Sequence, residues 1–383
     1  MPQFARKYKL PCTGCHDALA YPRLNDVGYK FRRAGFRMPE NIGQEELTDF
    51  STTDYFSARV QVDNTTDVTR EGGSTDSSNT FTGQLSLYAL TGSFQKYFGS
   101  ETELAFTAGG EAEIENAYAS VVYGSQELWF TTRAGVFHTF DGLGGSDRSL
   151  GPSRPLIFDL TPNHNQDTLM RMAEQNRIGI DVGLQWGNTS LSVEVVNRAQ
   201  LVVEDGEVRP RTIGPDAGGG KDLIVVANQI LGTHSGLSTY WAHGRVALPI
   251  DAAAFTEGAN LDTWNNPYDK FGAFASGGAG PLLVLGGAQL GFDRALEPGG
   301  GRKRFKSIGG FVEMDVALRP FAVGYVRADY FDPSASLADN HIFAGTIGTL
   351  FHQDWVSITP ELQIRRLPDA TAASLIVHAS VIY

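Results

Sequence analysis

The sequence predicts an all-β protein, a closed antiparallel transmembrane β-barrel of about sixteen strands behind a small N-terminal head. The first observation is that segments of about ten to thirteen residues, with alternating apolar and polar side chains, follow one another from residue 54 onward. The second is the C-terminal segment, where alternate residues are apolar and the last one is an aromatic, Tyr383. The third is a content of 44 glycines and 11% aromatic residues, which is high for an α/β enzyme.

The alternating segments number sixteen, and an even number is expected of a bacterial outer-membrane barrel. Seven compact connections, such as 123–126 and 187–189, alternate with eight others, most of which are long and polar. Short periplasmic turns that alternate with longer outer loops are typical of such barrels. The predicted strands are 54–64, 81–91, 101–109, 112–122, 127–138, 176–186, 190–198, 222–231, 237–248, 268–277, 281–292, 304–318, 321–331, 340–350, 354–366 and 372–383.

Two other fold classes compete for this pattern. A soluble β-barrel or double sandwich also alternates, but strands of this length and number, with long loops on one side, favour the membrane barrel. Helical membrane proteins are excluded, because the longest apolar runs, 280–290 and 373–383, fall short of the roughly 20 residues that a spanning helix needs. We therefore expect the chain to lie in a bacterial outer membrane, in contact with its lipid.

Charge is unevenly distributed between the head and the rest of the chain. Residues 1–37 contain eight Lys or Arg and two acidic residues, a net charge of +6, whereas the whole chain carries −12 and the remainder therefore −18. Because opposite charges attract, we predict that the head, residues 1–50, folds as a plug into the lumen of a barrel formed by residues 51–383. An acidic chain lacks the basic footprint of a nucleic-acid-binding protein, which excludes nucleic acid as a partner.

The head contains the motif Cys12-Thr-Gly-Cys15-His16, the C-x-x-C-H sequence at which haem c is attached. Two thiols at this spacing reach the two vinyl groups of one porphyrin, and the histidine that follows supplies an imidazole to the iron. A thioredoxin-like pair would need a βαβ context, and a structural zinc site would need further closely spaced ligands. The sequence around the motif offers neither. It therefore predicts one covalent haem c, bound by Cys12, Cys15 and His16.

The sequence leaves the sixth ligand of the haem iron open. Met38 lies 22 residues after His16 in the same short head, and a thioether ligand would raise the reduction potential. A histidine of the barrel or its loops, such as His138 or His164, is the alternative, because 139–175 is long enough to fold into the pore. A third possibility is that Met38 only packs against the barrel wall.

A single haem c motif followed directly by a porin-like barrel resembles the outer-membrane porin–cytochrome c fusion family of iron-oxidising bacteria. The resemblance is most specific in the head, and in the barrel it concerns the architecture alone. The residues that carry it are Phe4-Ala5-Arg6, Cys12, Cys15 and His16, followed by Pro22, Leu24, Asn25, Gly28, Phe31, Gly35 and Phe36.

The resemblance implies electron transfer from an extracellular donor, with Fe(II) favoured, through the haem to a periplasmic cytochrome or other carrier. Such a chain would act as an iron:cytochrome c oxidoreductase. We expect a single haem to lie near the middle of the barrel or close to its outer mouth, since electron tunnelling falls off steeply with distance. The alternative function is a diffusion porin whose haem-containing head is a structural plug. A haem enzyme such as a peroxidase is less favoured, because nothing in the head resembles a distal His/Arg pair.

Three glutamates, Glu111 just before the predicted strand 112–122 and Glu113 and Glu115 within it, alternate along the chain and share one face. If Tyr118 faces lipid, this face is in the lumen, near the outer mouth. Hard oxygen ligands suit Fe(II), so the glutamates are candidates for an Fe(II) entry site. The competing interpretation is that they form part of the solvated wall of the pore.

Overall fold

The computed structural model describes residues 2–17, 23–45, 51–140, 151–158, 176–198, 200–204, 207–211, 220–247, 265–296, 302–333, 335, 341–353 and 355–383. The head contains helices α1 (Pro2–Tyr8) and α2 (Asp26–Arg33), with short 3-10 turns at Cys12–Gly14, Pro39–Asn41 and Thr52–Asp54. Within the described residues, no helix has both the length and the apolar character needed to cross a bilayer.

Nineteen strands follow the head. They are β1 (Ser57–Glu71), β2 (Ser74–Tyr88), β3 (Gly92–Phe94), β4 (Phe98–Thr107), β5 (Ala112–Gly124), β6 (Leu128–His138), β7 (Asn176–Trp186), β8 (Thr189–Asn197), β9 (Gln200–Glu204), β10 (Glu207–Arg211), β11 (Lys221–Gly232), β12 (Ser235–Ala247), β13 (Asn265–Ala279), β14 (Leu282–Leu296), β15 (Arg302–Arg319), β16 (Ala322–Asp332), β17 (Ile342–Gln353), β18 (Val356–Arg366) and β19 (Ala370–Ile382).

Sixteen of these strands form one closed antiparallel ring. Each pairs with the next long strand of the sequence, and β1 pairs with β19 from Arg59↔Ile382 to Glu71↔Ala370, which closes the barrel. β8 pairs directly with β11, so the hairpin β9–β10 belongs to the connection between them. The short strand β3 adds only to the edge of β4. The predicted sixteen-stranded barrel is therefore confirmed.

The side chains of the barrel have apolar residues outside and polar residues inside. On β8, Leu191 and Val195 are 46% and 44% exposed, whereas Ser192 and Glu194 on the other face are 4% and 0% exposed. The same inversion recurs on β18, where Ile364 is exposed and Glu361 is buried. An apolar exterior around a polar interior is the arrangement of an outer-membrane barrel, whose outer surface faces lipid.

The two rims of the barrel differ in their connections. Compact turns join β5 to β6, β7 to β8, β11 to β12, β13 to β14, β15 to β16 and β17 to β18, and the C-terminus lies at the same rim. Longer connections join most of the other strand pairs at the opposite rim. Because short turns are periplasmic in such barrels, we call the rim with the compact turns the periplasmic rim.

Two predicted loops contain more strand than expected. The sequence assigned 65–80 to a loop, but β1 and β2 continue through it to a tight turn at Gly72 and Gly73, both with positive φ. The residues of this hairpin are almost all polar, and most of them are exposed, so they lack the apolar alternation by which the strands were predicted. The predicted loop 199–221 likewise includes the hairpin β9–β10.

The segment 151–158, from the long outer connection after β6, folds into the lumen. Its residues Leu156, Ile157 and Phe158 are buried, and the Phe158 ring stacks on Phe274 of the wall at 5.4 Å between centroids. Arg327 holds the segment by donating hydrogen bonds to the carbonyl and hydroxyl oxygens of Ser153, at 3.0 and 2.8 Å. This part of the connection therefore narrows the pore, in agreement with the expectation that 139–175 is long enough to enter it.

Candidate functional site

The two cysteines and the histidine of the motif lie on one compact loop of the head. Cys12–Gly14 is a 3-10 turn, and the backbone N–H groups of Cys15 and His16 donate to the carbonyl oxygen of Cys12, at 3.2 and 2.9 Å. His16 then forms an antiparallel bridge with Leu24. Neither cysteine forms a disulfide. The turn thus keeps both thiols and the imidazole close together.

Asn25 joins this loop to helix α2. It is the N-cap of the helix, since its side-chain oxygen accepts a hydrogen bond from the Gly28 N–H at 2.9 Å. Its own backbone N–H donates to the carbonyl oxygen of Cys15 at 3.0 Å, and its side-chain amide nitrogen lies 3.4 Å from the carbonyl oxygen of His16. The residue that begins the helix therefore also fixes the loop that carries the cysteines.

Gly28 allows the helix and the loop to approach this closely. A Cβ atom at this position would lie 2.0 Å from the carbonyl oxygen of Cys15 and 3.0 Å from the Leu24 side chain. The first of these atoms belongs to the backbone and cannot rotate away. A side chain at position 28 would therefore push the loop off α2.

A cavity of about 900 Å³, part of it open to solvent, lies between this loop and the barrel wall. Cys12, Cys15, His16 and Met38 all line it. Burial raises the pKa of the Cys15 thiol, which keeps the thiol protonated near neutral pH. Much of the remaining lining is apolar and includes Phe4, Leu10, Phe31, Phe36, Trp355 and Ile382.

These residues fit a haem c. Two thiols and an imidazole on one loop are the groups that attach it, and Met38 brings a thioether, a common second axial ligand, to the same cavity. His138 ends β6 at the outer rim and does not line the cavity, and His164 lies outside the described residues.

The cavity lies at the periplasmic rim. Trp355 belongs to the turn before β18, and Ile382 is the last residue of β19. On the head side, Pro11 and Thr13 are exposed and Cys12 is partly exposed. We expected the haem near the middle of the barrel or its outer mouth, and that placement is wrong for this cavity, because the barrel holds the head at its opposite end.

Buried ion pairs join the head to the lumen wall. Arg33 of α2 and Arg133 of β6 both bind the carboxylate of Asp181 on β7, at 3.1 and 2.8 Å, and all three side chains are at most 7% exposed. The hydroxyl of Thr131 donates to the carbonyl oxygen of Arg33 at 2.7 Å. A head arginine paired with an inward-facing carboxylate is the contact that the charge distribution predicted.

Neutral hydrogen bonds join a second part of the head to the wall. The Tyr29 hydroxyl lies 2.7 Å from the Ser190 hydroxyl on β8 and accepts a hydrogen bond from the Asn228 amide of β11 at 2.8 Å. Lys30 donates to the Asn188 side chain at 2.8 Å. All three wall residues lie near the periplasmic rim, so the head occupies the periplasmic part of the lumen.

The three candidate iron-entry glutamates lie at the outer end of the β4–β5 hairpin. Glu113 is opposite Ala105, a lumen-facing residue, and Glu115 accepts a hydrogen bond from Gln84 at 2.6 Å. Glu111 is exposed in the turn before β5. The structure thus places Glu113 and Glu115 on the lumen wall.

The expectation that Tyr118 faces lipid is wrong. Tyr118 is 6% exposed and donates a hydrogen bond to Glu101 in the lumen at 2.7 Å. The pairing of β4 with β5 shifts between Glu103↔Asn116 and Leu104↔Ile114, so Glu115 is an extra residue. A β-bulge of this kind lets residues on both sides of it face the lumen although their numbers differ in parity.

No group of three or more His, Cys, Asp or Glu side chains within the described part of the chain is arranged to hold a metal ion. Glu115 instead lies 3.9 Å from the Arg59 guanidinium, which also binds Glu103 at 3.1 Å. Of the three candidate glutamates, Glu115 is therefore compensated by an arginine, which it shares with Glu103.

Solved structures of outer-membrane barrels share this fold. The anion-selective porin from Comamonas acidovorans aligns with a TM-score of 0.56 and 12% identity, over 86% of this chain and 99% of that one. OmpF of Salmonella typhi, in a complex with daunomycin, aligns with a TM-score of 0.54 and 8% identity, over 86% and 97%. OmpT, an outer-membrane protein of Vibrio cholerae, aligns with a TM-score of 0.53 and 10% identity, over 88% and 100%.

No family model matches the sequence, and no curated protein matches it. Identities as low as those of the barrel structures show a common fold and nothing more specific. Together with the apolar exterior, they identify this chain as a β-barrel of the bacterial outer membrane.

Sequence reasoning missed the residues of the wall that complete the cavity and hold the head. Glu101 and Asp181 carry no motif, and in the sequence they are ordinary inward-facing positions of β4 and β7. Arg32 was counted only as one of the basic residues of the head, although it lines the cavity. The alternation tells which face a residue is on, but not which residues meet across the lumen.

Proposed function

We propose that this chain is an outer-membrane electron-transfer protein that holds one covalent haem c at the periplasmic end of its barrel. The observation that carries the proposal is that Cys12, Cys15, His16 and Met38 line one cavity. Bound there, haem c would supply a carrier of single electrons whose potential its axial ligands and surroundings set.

The residues of the cavity divide into groups with separate roles. Cys12 and Cys15 would hold the cofactor through thioethers, and His16 and Met38 would ligate the iron. The rings of Phe4, Phe31 and Phe36 pack against one another, with 4.9 and 5.1 Å between the centroid of Phe4 and those of the other two. This apolar wall excludes water, and exclusion of water favours the less charged, reduced state of a haem.

The position of the cavity supports exchange of electrons with a periplasmic carrier. Pro11 and Thr13 flank the cysteine loop and are exposed at the periplasmic rim. A small cytochrome, or another soluble carrier, reaches this rim without entering the barrel. Transfer of electrons from the outside instead requires a donor that enters the lumen from the opposite end.

Fe(II) is the donor that we favour. The resemblance to the porin–cytochrome c fusion family points to iron, and carboxylates line the wall between the outer mouth and the cavity. Glu113 and Glu115 lie towards the outer end of this wall, Glu103 follows them, and Glu101 lines the cavity itself. Successive lumen-facing residues of a strand are about 6.6 Å apart, so a cation passing inward meets oxygen ligands at short intervals.

A diffusion porin with a structural haem-containing plug is the second candidate function. It is favoured by the fold shared with an anion-selective porin. The packing of the head and of segment 151–158 inside the lumen counts against it. The two candidate functions differ in ion conductance. A diffusion porin conducts ions with its head in place, whereas an electron conduit conducts ions only after deletion of residues 1–50.

The test of the electron-transfer proposal is stopped-flow reduction of the oxidised haem in liposomes that contain the full-length protein, with Fe(II) outside and a soluble cytochrome inside. We expect rapid reduction by Fe(II) and electron delivery to the internal cytochrome. Absence of covalent haem, or of transfer from any donor, would remove the function. Reduction by other small donors but not by Fe(II) would leave the conduit and remove iron.

The entry face is tested with the variant Glu111→Gln/Glu113→Gln/Glu115→Gln. Its control is Glu71→Gln/Asp76→Asn, which removes two exposed carboxylates at the tip of the β1–β2 hairpin. If the β4–β5 glutamates guide Fe(II), the triple variant slows reduction by Fe(II) several-fold more than the control does. Equal rates in the two variants would remove the entry face alone.

A further inference from the structure

Two charged side chains, Arg32 and Glu101, interrupt the apolar lining of the cavity. Arg32 lies on α2, one helical turn after Gly28, and Glu101 lies on β4 of the barrel wall. Among the described residues that line the cavity, Arg32 is the only arginine or lysine and Glu101 is the only carboxylate. The head therefore contributes one positive charge to the cavity, and the barrel contributes one negative charge.

The carboxylate is held in place by the wall. Glu101 is 6% exposed and accepts a hydrogen bond from the Tyr118 hydroxyl at 2.7 Å. The guanidinium of Arg133 lies over the Tyr118 ring, 5.6 Å from its centroid. Arg32 is near enough to Tyr118 to interact with it electrostatically. Glu101, Tyr118 and Arg133 thus form one polar group on the barrel wall, and Arg32 lines the same cavity from the head.

The chemistry of haem c determines which edge of the porphyrin meets this group. The two thioether bonds are on one edge of the ring, and the two propionate carboxylates are on the opposite edge. Cys12 and Cys15 are on the loop beside Pro11, which is exposed at the periplasmic rim. A haem attached there would have its propionate edge on the side away from Cys12 and Cys15, and an arginine is the residue best suited to bind a carboxylate.

We infer that Arg32 binds a haem propionate and that Arg32 and Glu101 form an opposed pair of charges that sets the reduction potential of the haem. This inference rests on the proposed function, since it requires a haem in the cavity. Reduction of the iron adds one negative charge to the cofactor. A nearby positive charge therefore raises the potential, and a nearby negative charge lowers it.

The opposite signs give a test that loss of structure cannot imitate. The midpoint potential is measured by spectroelectrochemistry on the full-length haem-loaded protein in detergent, for Arg32→Gln, Glu101→Gln and the double variant. Lys30→Gln is the matched control, because it removes a positive charge from the same helix at a side chain that binds Asn188 and does not line the cavity. Arg32→Lys keeps the charge and loses the planar guanidinium.

We expect Arg32→Gln to lower the midpoint potential and Glu101→Gln to raise it. Each shift should change the ratio of oxidised to reduced haem at a given potential about tenfold, which corresponds to about 59 mV for one electron. The midpoint potential of the double variant should be close to that of the wild type, and Lys30→Gln should change the midpoint potential least. Shifts of the same sign in the two single variants, or none in either, with normal haem absorption, would overturn the inference. If Arg32→Gln fails to load haem, the midpoint potentials of Glu101→Gln and Arg32→Lys decide whether the inference holds. Absence of haem from the wild type would instead remove the proposed function.

Discussion

The head and the barrel are stabilised by different kinds of interaction. The barrel is a continuous ladder of backbone hydrogen bonds, in which each of the sixteen strands is paired on both sides. The head has two short helices, of 7 and 8 residues, and its contacts with the barrel are made by individual side chains such as Tyr29 and Arg33. An isolated segment of this size buries too little surface to fold alone. The barrel is thus the scaffold, and the head is ordered by its contacts with the lumen wall.

Function can therefore be separated from fold in the head. Loss of any one head contact leaves the ladder of the barrel intact, so changes to the head should affect the cofactor and leave the membrane protein assembled. A change to the barrel wall can, by contrast, affect the head, because Asp181 belongs to a barrel strand and binds Arg33 of the head. The predictions below test this separation.

The largest effect is expected from Cys12→Ala/Cys15→Ala. Without thiols no thioether can form, so covalent haem staining in a denaturing gel should disappear completely. The barrel should still form, with a strand-rich circular dichroism spectrum in detergent and anomalous migration of the unheated protein. Staining that persists in the variant would exclude attachment through these cysteines. Loss of the barrel itself would show that its folding depends on the head.

A smaller but substantial effect is expected from Asp181→Asn. The substitution leaves the guanidinium groups of Arg33 and Arg133 buried without their shared carboxylate, and breaking a buried ion pair in this way costs about 3–5 kcal/mol. We expect the head to be cleaved by protease much faster than in the wild type, while the barrel resists. The control is Asp269→Asn, whose pair with His243 is about half exposed and contributes at most about 1 kcal/mol.

Equal resistance of the head to protease in Asp181→Asn and Asp269→Asn would contradict the importance of this ion pair. It would imply that the neutral contacts of Tyr29, rather than the charges, hold the head in the lumen.

The smallest effect is expected from a pair of glycine substitutions in the head. Gly28→Ala places a Cβ atom 2.0 Å from the Cys15 carbonyl oxygen, so the loop must shift, and we expect haem attached per protein to fall several-fold. Gly14→Ala lies between the two cysteines, but its Cβ atom would meet only the Leu10 side chain, at an ordinary 3.4 Å. Haem staining normalised to protein should be near the wild-type level in Gly14→Ala. Equal staining of the two variants would show that the loop does not need its close contact with α2.

Much of the barrel could be predicted from the sequence, because alternation is repeated in every strand that faces lipid. The prediction failed where the apolar residues stop, as in the outer halves of β1 and β2, whose side chains are almost all polar although the strands pair on a regular ladder. The condition that Tyr118 faces lipid also failed, since a single extra residue at Glu115 reverses the parity of the residues that follow it on β5. No local feature of the sequence marks that bulge.

The candidate site could be predicted only in part. The cysteines and His16 were identified by their spacing, and the structure adds that Met38 lines the same cavity. The wall residues Glu101 and Asp181 could not be identified, because they meet the head across about 70 to 150 positions of sequence and the curvature of the barrel decides which strands come near. That the cavity is at the periplasmic rim likewise followed only from the fold.

We propose that His16 and Met38 hold one haem between them in this cavity. It is tested most directly by magnetic circular dichroism of the ferric full-length protein, in the wild type and in Met38→Ala. We predict a low-spin, six-coordinate haem with the long-wavelength band of a methionine ligand, and loss of that band in Met38→Ala. A high-spin wild-type haem, or a spectrum of two histidine ligands that Met38→Ala leaves unchanged, would contradict the claim.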